Sequence, residues 1–179
     1  MKAIEEIGIS KGFKFIFWTI VSCLLSLALL PPIRKTLLKM FGAKIGKNTI
    51  INDVKFFNLY RRGFSGFQVG NSCFIGDHCL FDLAEEIIID DNVTLAEDIT
   101  VLTHLNVGYK DHPLQKFFPS SASPVSIKKG CFVGARSTIL SGIEIGEESF
   151  IAAGSLVNKS IEPRTLVGGV PAKMIRKID

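Results

Sequence analysis

The chain has 179 residues, 47% of them hydrophobic, and a formal net charge of +4. That is room for one domain with an ample core and an appendage, and too little for several domains. The surplus of positive charge comes with no nucleic-acid-binding motif, so a nucleic-acid partner is excluded on pattern.

The appendage is at the front, where Lys2, Lys11 and Lys14 precede an uncharged run, Phe15 to Leu30 ("FIFWTIVSCLLSLALL"), that stops at Pro31-Pro32. Sixteen helical residues rise roughly 24 Å, a little short of a hydrocarbon core of about 30 Å. A secretory signal would want a small-residue cleavage site, which "LLPPIRK" does not offer. A soluble core helix would be striped, whereas this one is apolar all round. The run therefore predicts a membrane-embedded helix, single-pass or re-entrant. Arg34, Lys35, Lys39, Lys44, Lys47, Lys55, Arg61 and Arg62 follow it against one acid, Asp53. Such a cationic flank marks the cytoplasmic side and attracts anionic lipid. In "IRKTLLKMFG", Ile33, Leu37, Leu38 and Phe41 share a helical face that suits an interfacial helix. The expected organisation is residues 1–42 as a membrane anchor and 43–179 as the main domain, placed at the cytoplasmic face of the cell membrane.

From Ile45 a six-residue rhythm begins. "IGKNTI" leads to Ile51; Val69, Ile75 and Phe81 form a second run, and Ile89, Leu95 and Val101 a third. The phase slips near Ala84–Glu86, which reads as a bulged corner, and is lost between His104 and Pro124. It then resumes unbroken through Ile127, Val133, Ile139, Ile145, Ile151 and Val157. Gly134, Gly146 and Ala152 follow members of that series directly, and Cys131, Ser137, Ser149 and Ser155 stand four places after them. A period of six fits neither a 3.6-residue helix nor an alternating strand. It fits a chain that turns a corner every six residues and buries one aliphatic per face, three faces making one coil of a parallel β-helix. Cys73, Cys79 and Cys131 occupy small-residue positions of the repeat and Cys23 the apolar helix; with no CxxC pair, they read as reduced, packed thiols and not as a zinc site. "GGVPAK" (Gly168 to Lys173) closes the solenoid, its glycines permitting a tight turn and its proline stopping further pairing.

Chemistry is expected where regularity fails, and the largest failure is the loop from His104 to Pro124, which holds two of the three histidines, His104 and His112. No nucleophile elbow, Ser-His-Asp pattern or metal cluster is apparent. Acyl transfer between two co-bound substrates needs none of these; it needs a base for the attacking hydroxyl, for which histidine is suited, and a fixed donor for the oxyanion. A carboxylate holding the base's second nitrogen would set its tautomer. Asp82, Glu85 and Glu86 in the bulged corner are the candidates, Asp82 first. His78, inside a regular hexapeptide, reads as a surface residue.

The stretches "DNVTLAEDITVLTH" (Asp91 to His104), "VGARSTILSGIEIGEESFIAAGSLVNKSI" (Val133 to Ile161) and "VGGVPAKMIRKI" (Val167 to Ile178) resemble the hexapeptide-repeat acyltransferases, closest to the maltose and galactoside O-acetyltransferases and their relatives in polysaccharide biosynthesis. The resemblance covers about Ala43 to Arg176. It implies an all-β fold, a left-handed parallel β-helix, here with the N-terminal membrane-associated helix and an extended loop at about 104–124. It implies acetyl-CoA as co-substrate, no metal, a homotrimer with active sites between subunits, and transfer to a hydroxyl of a sugar. The membrane helix favours a lipid-linked sugar over a nucleotide-linked one. By the family's pattern His104 is the general base and the backbone N–H of Ala135 the oxyanion donor. Phe132, Ala153, Asn158, Lys159 and Arg176 fall on the coenzyme side; Asp82, Tyr109 and His112 fall on the acceptor side. The family's acceptor-side asparagine aligns by register with Gly76. Two other readings stay open: a carbonic-anhydrase-like metal hydrolase using the histidines, and a non-catalytic membrane-proximal scaffold.

Overall fold

A computed structural model of the protein describes residues 9–179, so Lys2 lies outside the described residues. The rhythm becomes two-residue strands whose first residue faces out and whose second faces in: Phe74–Ile75, Thr94–Leu95, Phe132–Val133 and Phe150–Ile151 are typical. Stacked in parallel, these strands build three faces. Ile45, Val69, Ile89, Ile127 and Ile145 are in register on the first. Ile51, Ile75, Leu95, Val133, Ile151 and Val167 are in register on the second. Phe81, Val101, Ile139 and Val157 align on the third. These columns are buried and form one continuous core.

Small residues beside each aliphatic have two physical causes. Where the coils touch, a Cβ on Gly134 would lie 2.5 Å from the Ala153 nitrogen, and one on Gly146 2.5 Å from the Pro163 nitrogen. Four places on, side chains satisfy corner carbonyls of the neighbouring coil: Cys73 donates to Asp90, Cys131 to Gly146, Ser137 to Ala152 and Ser149 to Glu162, each at 3.0–3.1 Å. Burial raises the thiol pKa of Cys73, and pushes those of Cys79 and Cys131 up to about 11. The far end closes as Thr165–Gly168 pairs antiparallel with the tail strand Lys173–Lys177.

The front of the molecule corrects the expected membrane anchor. Helix α1 spans Ile9–Ser26 and helix α2 spans Pro31–Met40. Among the described residues no helix is long and apolar enough to cross a membrane. The uncharged helical stretch from Phe15 to Ser26 rises roughly 18 Å, well short of a hydrocarbon core of about 30 Å. Val21 and Leu25 of α1 are buried, and Trp18 packs edge-on to Phe64 at 5.4 Å, seated over Gly63. Most of the face of α2 read as interfacial is turned to the protein: Leu38 is fully buried, and Leu37 and Phe41 pack against the core, while Ile33 stays exposed. The basic segment is also partly engaged. Arg34 is buried, Lys35 donates to the carbonyls of Gly46 and Thr49, and Arg62 pairs with Glu85 and Glu86. The all-β class thus becomes a mixed one, a parallel β-helix with helices packed on its first coils. The membrane partner and the placement at the cell membrane fall with the anchor.

Candidate functional site

Three departures from regularity converge on one side chain. The first-coil strand Val54–Phe57 is longer than the two-residue strands before it and is followed by Asn58, held in the left-handed region (φ 59°) at the start of the short helix α3, Leu59–Arg62. One coil on, Phe57 is in register with Asp82, the last residue of the strand Cys79–Asp82. Next comes the phase slip, residues 83–86, which wraps around Asp82: the amide of Ala84 donates to Asp82 Oδ1 at 3.1 Å. One further coil on, Thr103 and His104 leave the third face.

Asp82 is fully buried and every hydrogen bond to it comes from these departures. Its Oδ1 also accepts from Asn58 Nδ2 at 2.7 Å, and its Oδ2 accepts from the Thr103 amide at 2.9 Å and bonds His104 Nδ1. Burial by itself would raise the carboxyl's pKa; the bonds from Asn58, His104, Thr103 and Ala84 outweigh it and hold the group below its ordinary value. An ionised Asp82 fixes the imidazole tautomer, with the proton on Nδ1 and the Nε2 lone pair free to act as a base. The side chain of His104 is 25% exposed, against none for Asp82, so the ring reaches solvent while its anchor does not. Phe57 borders the ring edge-on, centroids 6.2 Å apart. Thr103 supports the pair from behind: its hydroxyl donates to the Asp82 carbonyl at 2.7 Å and accepts from the Glu85 amide at 3.0 Å.

The loop after His104 is pinned at its root, because His104–Leu105 pairs antiparallel with Ser121–Ala122. Beyond the root, Gln115 ties Asn106 to the Gly108 carbonyl, and His112 Nδ1 accepts from the Leu114 amide to cap the turn Pro113–Lys116. His112 and Tyr109 both lie exposed on this loop. His78 sits at a coil corner, 3.7 Å from Asp98, away from the His104 pair. Glu85 and Glu86, the other carboxylates of the bulge, pair with Arg62.

The residues expected on the coenzyme side divide between two corners. Ala135 and Ala153 stack at the exit of the second face, the Gly154 amide donating to the Ala135 carbonyl at 2.8 Å. Phe132 lies on that face, stacked on Phe150 at 4.6 Å, and Arg176 stands on the tail strand beside it. Asn158 and Lys159 are exposed at the next corner, after Leu156–Val157 of the third face. His104 leaves the third face and Ala135 the second, so the two stand at different corners of the coil.

At Gly76 a Cβ would lie 2.7 Å from the Ala96 carbonyl carbon, so the close approach of the coils requires glycine there; a carboxamide reaches the Asp82 carboxylate from Asn58. Sequence reading missed Asn58, which stands directly after Phe57, six residues past Ile51, where the first run of the rhythm breaks off. Among the described residues, no group of three or more His, Cys, Asp and Glu could hold a metal ion.

Residues 124–159 match a family model described as the hexapeptide repeat of succinyl-transferase. The galactoside O-acetyltransferase of Escherichia coli (strain K12) is 27% identical over 150 residues, covering 82% of this chain and 69% of the relative. The acetyltransferase WcaF of the same strain, named for colanic acid biosynthesis, is 30% identical over 145 residues, covering 80% and 74%. The chain belongs to the hexapeptide-repeat acetyltransferases. Solved structures agree with this acetyltransferase's fold: a maltose O-acetyltransferase from Clostridium difficile 630 matches 96% of the chain and 90% of its own at a TM-score of 0.78 and 27% identity. A hexapeptide-repeat acetyltransferase from Vibrio cholerae, 20% identical, matches 96% and 94% at 0.82, a likeness of fold alone.

Proposed function

We propose that this acetyltransferase moves an acetyl group from acetyl-CoA to a hydroxyl of a sugar carried on a lipid or a nucleotide, with His104 as general base. The observation that carries the reading is the bond between His104 Nδ1 and the buried, ionised Asp82, which leaves Nε2 free at the rim of the coil. His104 Nε2 takes the proton as the acceptor oxygen bonds to the acetyl carbon; the C–S bond then breaks, and the imidazolium returns that proton to the departing thiolate. The Ala135 amide is the donor for the oxyanion between those two events. Phe132 and Ala153 line the pantetheine arm, and Asn158, Lys159 and Arg176 meet the nucleotide end, where cations suit several phosphate charges. Tyr109 and His112, carried on the loop, face the acceptor.

Because His104 and Ala135 leave the coil at different corners, the reading requires a homotrimer in which one subunit's base meets its neighbour's oxyanion donor. The names of the relatives support the acceptor class: galactoside in one, colanic acid in another. A thermal-shift titration with acetyl-CoA tests the donor. A ligand at a hundred times its Kd adds about 2.7 kcal/mol of stability. Stabilisation by acetyl-CoA, together with acetylation of a sugar panel that His104→Ala abolishes, is the expected result; undiminished transfer by His104→Ala overturns the mechanism. Sedimentation giving a monomer at working concentration overturns the shared site.

A further inference from the structure

A groove of about 910 Å³ runs between helix α1 and the strand Val54–Phe57. Its floor and walls include Trp18, Leu25, Leu29, Phe56 and Phe57, and it reaches Asn58, which holds Asp82 and so adjoins the base. The volume is that of a small-molecule site, in the range of roughly 300–1,000 Å³. From Asp53, opposite Arg34, to Asn58 is five residues of extended chain, roughly 17 Å. The groove is therefore much longer than one sugar.

Its chemistry is apolar despite several hydroxyls in the lining. Thr19 and Ser26 turn theirs back onto their own helix, donating to the carbonyls of Phe15 at 2.8 Å and Cys23 at 2.7 Å. Phe15 and Leu29, both on the walls, remain 61% and 82% exposed, a large area of apolar surface left to water. Charge at the far end cancels, Arg34 and Lys55 standing against Asp53 and Asp77. A nucleotide's phosphates find no net attraction there, whereas an uncharged chain gains from every buried methylene, about 0.8 kcal/mol each. We propose that this groove binds an apolar chain carried by the acceptor, with the acceptor's hydroxyl delivered at the Asn58 end to His104. This rests on the sugar-acceptor reading above and adds to it the kind of carrier.

The protein supplies its own probe, since Trp18 is the one tryptophan in the chain and lines the groove. The first arm titrates dibromododecyl maltoside, kept below its micellar concentration, and follows Trp18 fluorescence. The expected result is saturable quenching that Ser22→Phe, which fills the groove, removes and that Leu24→Ser, on the exposed face outside it, leaves intact. Should Ser22→Phe fail to fold, Cys23→Phe on the same wall replaces it. Quenching that is unsaturable, or that survives the filling variant and is lost in Leu24→Ser, overturns the proposal in favour of adsorption to the outer face of α1. A change of sedimenting mass in the filling variant also overturns it, assigning the groove to a second copy of the chain. The second arm compares acetyl transfer to methyl and dodecyl glycosides of the same sugars. The expected ratio of kcat/KM is tenfold or more in favour of dodecyl, falling to about one in the filling variant and unchanged in Leu24→Ser. Quenching without transfer to either glycoside sinks the sugar-acceptor reading and leaves the groove; equal transfer to both without quenching sinks the groove and leaves that reading.

Discussion

The coils after Pro124 and the coils before it use the same repeat for different ends. From Val125 to Val157 the inward aliphatics fall every six residues in register columns, and at three corners a small side chain satisfies a carbonyl of the neighbouring coil. From Lys44 to Leu105 the repeat is broken three times, at Asn58–Gly66, at residues 83–86 and after His104, and all three breaks meet at the Asp82 carboxylate. Regular coils fix a backbone in space but offer only outward side chains on a flat wall. A broken coil can turn a polar residue inward and still supply it with donors.

That contrast gives a ranked set of tests. In the broken region, His104→Ala is expected to lower acetyl transfer about a hundredfold to ten-thousandfold while leaving acetyl-CoA affinity near wild type. In the regular region the effect inverts: Ile139→Ala, fully buried, is expected to cost about 2–5 kcal/mol in chemical denaturation while the surviving folded enzyme keeps its turnover. Asn58→Ala removes one donor from a buried carboxylate, a loss of about 1–3 kcal/mol in the positioning of the base, read as a fall in kcat with the acetyl-CoA KM unchanged.

The acid limb sharpens the comparison further. Asp82 has a lowered pKa in the fold, so its ionised form stabilises the protein above the unfolded value of about 3.9, and that contribution is lost as pH falls through the folded value. The melting temperatures of wild type and Asp82→Asn are expected to differ by a constant amount near neutral pH and to converge in acid; parallel profiles down to the lowest pH would show that Asp82 is not ionised in the fold. Smallest in energy is a labelling result. With Cys73, Cys79 and Cys131 buried and their thiol pKa values raised, alkylation of the native protein at pH 8 should stop at one thiol, Cys23, as counted by intact mass.

The solenoid was legible because its cause is local and repeated: one inward aliphatic per face leaves a period that no helix or sheet produces. The place of the site was legible for the complementary reason, since the phase slip at Ala84–Glu86 and the loop after His104 are visible as interruptions. Asn58 was not, because its contact with Asp82 joins residues in successive coils and depends on a left-handed backbone that the letters do not announce. Gly76 shows the reverse, a residue whose reason is legible only in space, since it is the point where the coil meets Ala96. The front helices misled through composition. Phe15 to Leu30 has the hydropathy of a bilayer segment, yet its helix ends at Ser26 and buries one side on the first coil, using Trp18, Val21 and Leu25. Hydropathy counts apolar residues; it does not say which surface receives them.

The short antiparallel ladder at His104–Leu105 and Ser121–Ala122 has a bearing on how such an enzyme diversifies. With both ends of the excursion clamped to each other, residues between them can be added, deleted or exchanged without shifting the imidazole. Doubling the length of a flexible insertion costs only about 0.6 kcal/mol in closure entropy. The stretch from Asn106 to Ser120 and the His104–Asp82 pair are thereby held on separate tethers, so a change in the one need not reach the other.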